Sequence, residues 1–497
     1  MVELLDELPS DMVCLLDEAA AALKGARRGL VVSHNDADGI SALAILLTTL
    51  QREGIPHVWR NIHQLNSDTV LEVAGLVREH SPDLVVFTDL GSGQMPLILD
   101  NVTPEMGVTR VIVLDHHLLQ DRAEDGLPEH VTELNPNIHG MSGSNDVSGA
   151  GMAFLLSVAV RATNTDLSEL AVVGASGDMQ DYYGKGFVGL NARIVDAAKR
   201  AGYIAVERDL TFFGINTRPL AQLLEYATEP YLPGLTGNRD ACYSFFTERG
   251  IPLKSGPDEW RTWSDLNKEE KQLAVQGLID VILEHYADPS IARGIIGDVF
   301  VLCNRPRKSE MRSAKEFSTL LNACGRNRRA EVGVEICLGS EEAYELGKAL
   351  LQRHRANLAD ALRRLETGGA SDRRGMYYVN DPLTPDTIVG IVIGMAQAAR
   401  IVPDDRPVIG VSTNTTANTQ KAKLSGRAPR HLVDRGLSLK EVFANSAKRL
   451  NERHGEMLAE GGGHPMAAGA FVRVEHLDEY VSLVSDEIER MLAQRRG

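Results

Sequence analysis

Cysteine is scarce in this chain, and so are aromatic residues, long apolar runs and, relative to acidic groups, basic ones. The five cysteines, Cys14, Cys242, Cys303, Cys324 and Cys337, form no CxxC pair, which excludes a thiolate zinc cluster or disulfide framework and points to a reducing cytoplasm. The longest apolar run, "IVGIVIGMAQAA", has about 12 residues where a membrane span needs about 20. The acidic, amphipathic start "MVELLDELPSDMVCLLDEAAAALKGARRG", with Ser10 placed to cap a helix, lacks the basic and apolar blocks of a secretion signal. No membrane association is expected. Aromatic residues at 5% leave little for extensive base stacking. Fifty-two Lys and Arg against 68 Asp and Glu give a net charge of -16, which repels polyanions at long range. That excludes a non-specific nucleic-acid coat protein, but not an enzyme that grips phosphate through bound cations or a local basic groove.

What is present has the balance of a folded chain, 43% hydrophobic and 24% charged, and 497 residues at roughly 150 per domain predict about three domains. Between residues 28 and 200 short β-rich runs alternate with longer helical ones: "RGLVVSH", "GISALAILLTTLQREG", "PDLVVFTDLG", "TRVIVLDHH". Strands apolar on both faces and separated by helices predict a covered parallel sheet, the α/β class. Ligands in such sheets gather at the carboxyl ends of strands. Here those ends carry His34, Asp36 and Asp38, then Asp89, then Asp115, His116 and His117.

The pattern changes beyond about residue 205, where a turn-rich stretch precedes the charged helical run "SDLNKEEKQLAVQGLIDVILEHY" and a basic "NRPRKSEMRSAKEF". We expect residues 1–205 to form the parallel-sheet domain with its N-terminal helix, and 206–224 a linker helix. Residues 225–370 are expected to form an inserted middle α/β domain, and 371–497 a C-terminal α/β domain after the breaker-rich "ETGGASDRRG". Arg305, Arg307, Lys308, Arg326, Arg328 and Arg329 make the insert locally basic, read either as a solvated face or as a nucleic-acid groove.

Asp178 of "GASGDMQD" completes an inventory of His34, Asp36, Asp38, Asp89, His116, His117 and Asp178. Alternate residues of an extended loop face one side, so His34, Asp36 and Asp38 are expected to turn toward one small volume. Four carboxylates gathered there repel unless cations lie between them. Four carboxylates and two imidazoles suffice for two divalent ions that share one carboxylate. Oxygen ligands suit Mg²⁺ and Mn²⁺, and imidazole tilts the choice to Mn²⁺. Two such ions about 3.5 to 4 Å apart hydrolyse phosphoesters by acidifying water and neutralising phosphoryl charge. His117, beside a ligand, is placed to donate to a phosphate oxygen or to protonate the leaving group. A lone Asp-x-Asp-Gly is ordinarily a turn and a lone His pair ordinarily packing; their joint arrival at successive strand ends favours a site.

"HNDADG", "FTDLG", "LDHH" and "GASGD" resemble, in matching order, the four motifs of DHH phosphoesterases. The resemblance implies that His34, Asp36 and Asp89 hold one ion and Asp38, Asp89, His116 and Asp178 the other, with Asp89 bridging and His117 catalytic. At the C-terminal end "IVGIVIGMAQAARIVPDDRPVIGVS", "AKLSGRAP" and "GGGHPMAAGA" resemble the DHH-associated domain of RecJ exonucleases. That implies that Ser425, Arg427, Gly462, Gly463 and His464 hold substrate phosphate across a cleft from the metals. Glycines let backbone N–H groups approach a phosphate, and arginine clamps it with a bidentate fork. Leu424 and Ala428 depart from the small and hydroxyl residues of bacterial RecJ.

The middle segments "PYLPGLTGN", "EFSTLLNACGR" and "GVEICLG" look like the archaeal RecJ-like group, which includes a GINS-associated nuclease. The resemblance implies a two-Mn²⁺ exonuclease, with Mg²⁺ an alternative ion, that releases nucleoside monophosphates from single-stranded DNA or RNA in replication or repair. It also implies that the insert docks GINS or another replication subunit. Two other classes fit the same motifs. One is a helicase-complex scaffold, disfavoured because unused clustered carboxylates are electrostatically costly; the other is a phosphodiesterase of short oligonucleotides or cyclic dinucleotides.

Overall fold

Five short segments build the first sheet: β1 (Gly29–His34), β2 (His57–Ile62), β3 (Leu84–Thr88), β4 (Arg110–Leu114) and β5 (Val131–Leu134), all parallel, in the order β2-β1-β3-β4-β5. The computed structural model describes residues 4–5, 7–119, 126–181, 186–227, 230–285, 289–413 and 420–493. Alternate strand residues enter opposite layers. Val31, Val86 and Ile112 pack with helices α1 (Ser10–Gly25), α2 (Ala37–Arg52), α3 (Gly149–Val160) and α4 (Ser168–Gly177). Leu30, Val32, Phe87 and Val113 pack with Val70, Val73 and Val77 on the other side. Burial on both faces is why β1, β3 and β4 read as apolar runs, and the expected parallel α/β sheet is observed. Strand order reverses between β1 and β3, so the loops leaving them diverge and open a crevice. His34 ends β1 and Asp89 follows β3 on that crevice.

The local structure after β1 differs from the extended loop expected there. Asp36 is the N-cap of α2, accepting from the Gly39 N–H at 3.0 Å, and Asp38 already lies in the first helical turn. An aspartate at this position satisfies an amide that the helix leaves free, which starts the helix early. Gly39 serves close approach: a Cβ there would lie 2.5 Å from the His34 carbonyl oxygen.

β6 (Ile204–Leu210) and β7 (Ile296–Leu302) pair antiparallel, and the residues between them build a separate core around Leu223, Phe246 and Trp263. Residues 314–351, grouped with the insert by the sequence reading, pack instead in the first core through Phe317, Leu320, Val334 and Ile336. Their leading helix, α5 (Ala314–Arg326), has its apolar stripe against α2 and α4. Arg305 pairs with Glu169 at 3.1 Å, Lys308 with Glu259 and Asp265 at 3.5 and 3.4 Å, and Arg329 with Glu331, so these three cations are each matched by a carboxylate.

Glu316 on α5 ties this helix to the insert. Its buried carboxylate accepts from Asn216 N and Nδ2 at 3.1 and 3.0 Å and from Thr217 Oγ1 at 3.2 Å. Burial nevertheless raises its pKa from 4.5 to about 7. A carboxyl whose pKa rises on folding contributes stability that is complete below the unfolded value and is lost as pH climbs through the folded one. Glu316→Gln should therefore melt like the parent near pH 4.5 and several degrees higher at pH 8, the difference being at most about 3 kcal/mol. Thermal melts at the two pH values check this.

A second compact unit, residues 352–497, begins within helix α6 (Glu341–Gly368). Its sheet comprises β8 (Ser371–Arg373), β9 (Met376–Asn380), β10 (Val408–Ser412), β11 (Lys421–Arg427), β12 (Ala459–Gly463) and β13 (Ala467–Arg473), ordered β12-β13-β11-β10-β9-β8. β9 and β10 run parallel and the other neighbours antiparallel. Helix α7 (Val389–Ala398) packs with Ala361 and Leu365 of α6 on one face. Helices α8 (Leu439–His454) and α9 (Leu477–Ala493) cover the other, burying Leu424, Phe443 and Tyr480. No described helix is long and apolar enough to cross a membrane.

Candidate functional site

The crevice gathers six of the sequence-predicted residues into two overlapping groups that share Asp89. His34, Asp36 and Asp89 form one, Asp38, Asp89, His116 and Asp178 the other, and in each the donor atoms lie within 4.8 Å of one another. His34 Nδ1 is 2.9 Å from Asp36 Oδ2 and 3.4 Å from Asp89 Oδ2. His116 Nε2 is 3.2 Å from both Asp89 Oδ1 and Asp178 Oδ2, and 3.7 Å from Asp38 Oδ2. Asp38, Asp89 and His116 are buried; His34, Asp36 and Asp178 are half-buried at the mouth.

Backbone and helix ends hold these side chains in place. Asp89 adopts a left-handed conformation, φ 58°, which turns it off β3 into the crevice. Asp38 accepts from Gly149 N at 2.6 Å and Ala150 N at 3.0 Å, so the N-terminus of α3 fixes both its oxygens. Asp178 is the C-cap of α4. The Gly143 carbonyl accepts from His116 Nδ1 at 2.6 Å, leaving Nε2 to face the carboxylates.

Burial and mutual repulsion leave this cluster short of positive charge. Burial, with the charges of Asp89 and Asp178, pushes Asp38 well above the usual carboxylate range, and burial with Asp36 raises Asp89. Burial opposes protonation of His34 and His116, but neighbouring carboxylates outweigh it and raise both well above the ordinary imidazole value. The residues present fit divalent cations. His34 Nδ1 is buried without a hydrogen bond, although two carboxylates stand close by, as expected of donors aimed at a common point rather than at each other. The oxygen-rich donor set with imidazole suits Mn²⁺ or Mg²⁺.

His117, half-exposed, brings a ring nitrogen within 4.8 Å of donor atoms of Asp89 and His116, the residues at the centre of the second group. Its Nδ1 meets Asp115 Oδ1 at 2.8 Å, and Asp115 also accepts from Ser92 N at 2.9 Å. Burial works against its charge, but Asp115 raises His117 to about 9. The imidazole is thus oriented by a fixed carboxylate, with Nε2 available as a proton donor.

Sequence reasoning missed several contributors. Gln180 Nε2 donates to Gly143 O at 2.9 Å, and Asn191 Nδ2 donates to Gln180 Oε1 at 2.5 Å, buttressing the carbonyl that orients His116. From α5, Asn322 Oδ1 accepts from Ala37 N at 3.0 Å, and Gly325 sits so close that a Cβ would fall on the Asn35 carbonyl. Arg326, assigned only to a basic patch, feels the charge of Asp36. The spacing of Asn322, Gly325 and Arg326, three and four apart on a helix, was the available signal for one shared face.

The residues predicted to hold phosphate lie together in the second unit. Ser425 pairs across the sheet with Gly469, and Gly469 with Gly462, so three small residues make a flat step across β11, β13 and β12. Arg427 lies two residues further on the same face, its Nη2 3.0 Å from where a Cβ on Gly390 of α7 would be. Gly463 has φ 133° and leads into a tight turn in which His464 and Ala467 exchange backbone hydrogen bonds of 2.8 and 3.2 Å.

Residues 28–177 match the family model described as DHH family, N-terminal domain, residues 212–293 the DHH-CID domain and residues 384–490 the DHHA1 domain. An uncharacterized protein of Methanocaldococcus jannaschii is 30% identical over 465 residues, 93% of each chain. The single-stranded-DNA-specific exonuclease RecJ of Dickeya dadantii is 26% identical over 486 residues, 95% of this chain and 68% of that one. The crystal structure of RecJ in complex with Mn²⁺ from Thermus thermophilus shares the fold, with a TM-score of 0.55 at 20% identity. The match covers 96% of this chain but only 55% of that one.

Proposed function

The chain belongs to the DHH family of phosphoesterases, and from that membership we propose that it is a Mn²⁺-dependent exonuclease of single-stranded nucleic acid, releasing nucleoside monophosphates. The observation that carries the reading is the pair of donor groups sharing Asp89 at the point where strand order reverses. His34, Asp36 and Asp89 would hold one ion, and Asp38, Asp89, His116 and Asp178 the other; Mg²⁺ is the alternative metal. Bound there, two divalent ions supply a nucleophile at neutral pH and neutralise phosphoryl charge. The Asp115-oriented imidazolium of His117 donates to a non-bridging phosphoryl oxygen or to the leaving oxygen. Ser425, Arg427, the amides around Gly462 and Gly463, and His464 are the groups of the second unit suited to hold a substrate phosphate in this reading.

The insert, with a core of its own, serves in this reading as a docking module for a replication subunit such as GINS. Pull-down with and without residues 212–293 tests that role, and equal recovery counts against it.

Incubating single strands of DNA and RNA, labelled at either end, with Mn²⁺ should give a mononucleotide ladder shortening from one end. Intact strands sink the nuclease reading. Cleavage confined to dinucleotides and trinucleotides would replace it with a short-oligonucleotide phosphodiesterase.

A further inference from the structure

In the second unit, at the end of the β12–β13 ladder away from the glycine turn, two imidazoles and a carboxylate converge. His454 is the last residue of α8, His476 closes the 3-10 turn Val474–His476 and Glu479 lies in the first turn of α9. His454 thus stands just before β12 and His476 just after β13, beside the Ala459–Val472 pair rather than the Gly463–Ala468 pair. His454 Nε2 is 3.0 Å and His476 Nδ1 3.8 Å from the same oxygen, Glu479 Oε2. The imidazole centroids are 4.6 Å apart, and the three donor atoms lie within 4.8 Å of one another.

A hydrogen bond accounts for His454 but not for His476, whose contact is too long to be one. Both separations are instead near those of ligands around a single small ion: donors at about 2.0 to 2.1 Å from tetrahedral Zn²⁺ stand roughly 3.4 Å apart. The other carboxylate oxygen, Oε1, is held by Arg453 Nη1 at 3.1 Å, which leaves Oε2 directed at the histidines, as an outer partner does for a ligating carboxylate. The carboxyl end of α8 adds partial negative charge beside the cluster. Partial exposure of all three side chains leaves a path for the ion and a position for water.

We propose that His454, His476 and Glu479 bind one divalent cation of the zinc class, with water as a fourth ligand, stapling α8 to α9 where β12 and β13 emerge. The site lies in the second unit and shares no residue with the Asp89 groups.

The test uses the full chain, stripped with chelator, loaded with Zn²⁺ and desalted, comparing wild type with His454→Asn/His476→Asn and with Glu479→Gln. Wild type should retain one Zn²⁺ per chain more than the double variant by elemental analysis. Co²⁺ in place of Zn²⁺ should give visible bands of four-coordinate intensity that the double variant lacks. Glu479→Gln, which preserves shape, should weaken this ion at least ten-fold. Equal zinc content in wild type and the double variant, or unchanged affinity in Glu479→Gln with matching circular dichroism, overturns the proposal.

Discussion

Asp89→Asn is expected to lower Mn²⁺-dependent hydrolysis by at least about 10³-fold, roughly 4 kcal/mol in the barrier, without lowering the melting temperature measured in chelator. Asp89 stands in both donor groups, Oδ2 at 3.4 Å from His34 and Oδ1 at 3.2 Å from His116, so a single change removes a donor from each. An amide nitrogen offers a proton where a ligand lone pair is needed. Asparagine is preferred to alanine because φ at this position is 58°, a conformation that asparagine tolerates and that would add strain to alanine. In chelator the variant also sheds a carboxylate that burial and Asp36 disfavour, which offsets lost contacts with the two histidines. Added Mn²⁺ should raise the melting point of the wild type, because a ligand bound only by the folded state stabilises it, and should have little effect on the variant. Steady-state rates and melts with chelator or Mn²⁺ measure both. Activity within ten-fold of wild type, or an equal Mn²⁺ shift, would remove Asp89 from the bridging position.

The polar strand ends were legible because each follows an apolar run buried on both faces, a pattern that leaves few readings other than a covered parallel strand. What positions them was not. The extended loop expected for His34 to Asp38 ignores that Asp36 caps a helix, and the two aspartates reach their neighbours through that helix start, not by alternation. Asn322 was invisible for another reason: its contact with Ala37 spans 285 residues, and no local pattern reports which helix returns across an insert. The "GGG" segment, read for its phosphate-holding amides, lies in a strand in which Gly461 passes so near α8 that a Cβ would lie 2.8 Å from the Phe443 carbonyl oxygen. Composition reported the glycines; only packing shows what each permits.

Gly174→Ala extends that lesson to the site. Gly174 lies in the middle of α4, where alanine is intrinsically better by about 1 kcal/mol, so propensity alone predicts a more stable protein. Packing predicts the reverse. A Cβ there would lie 2.3 Å from Asp38 Oδ1 and 2.4 Å from Ala150 Cβ, and Asp38 cannot retreat without breaking its bonds from Gly149 N and Ala150 N. Either α4 moves, carrying Asp178 with it, or Asp38 leaves His116. Overpacking of this kind costs about 1 to 3 kcal/mol, and a ligand displaced by about 1 Å costs on the order of 10²-fold in rate. Gly174→Ala should therefore melt lower and hydrolyse at least about 100-fold more slowly, with far-ultraviolet circular dichroism unchanged. Gly75→Ala is the control: it sits in helix Ser67–His80 with nothing within 4 Å of its Cβ position, and should gain up to about 1 kcal/mol at full activity. If both variants behave as Gly75→Ala is expected to, the close approach of α4 to Asp38 is not what holds that carboxylate among its partners.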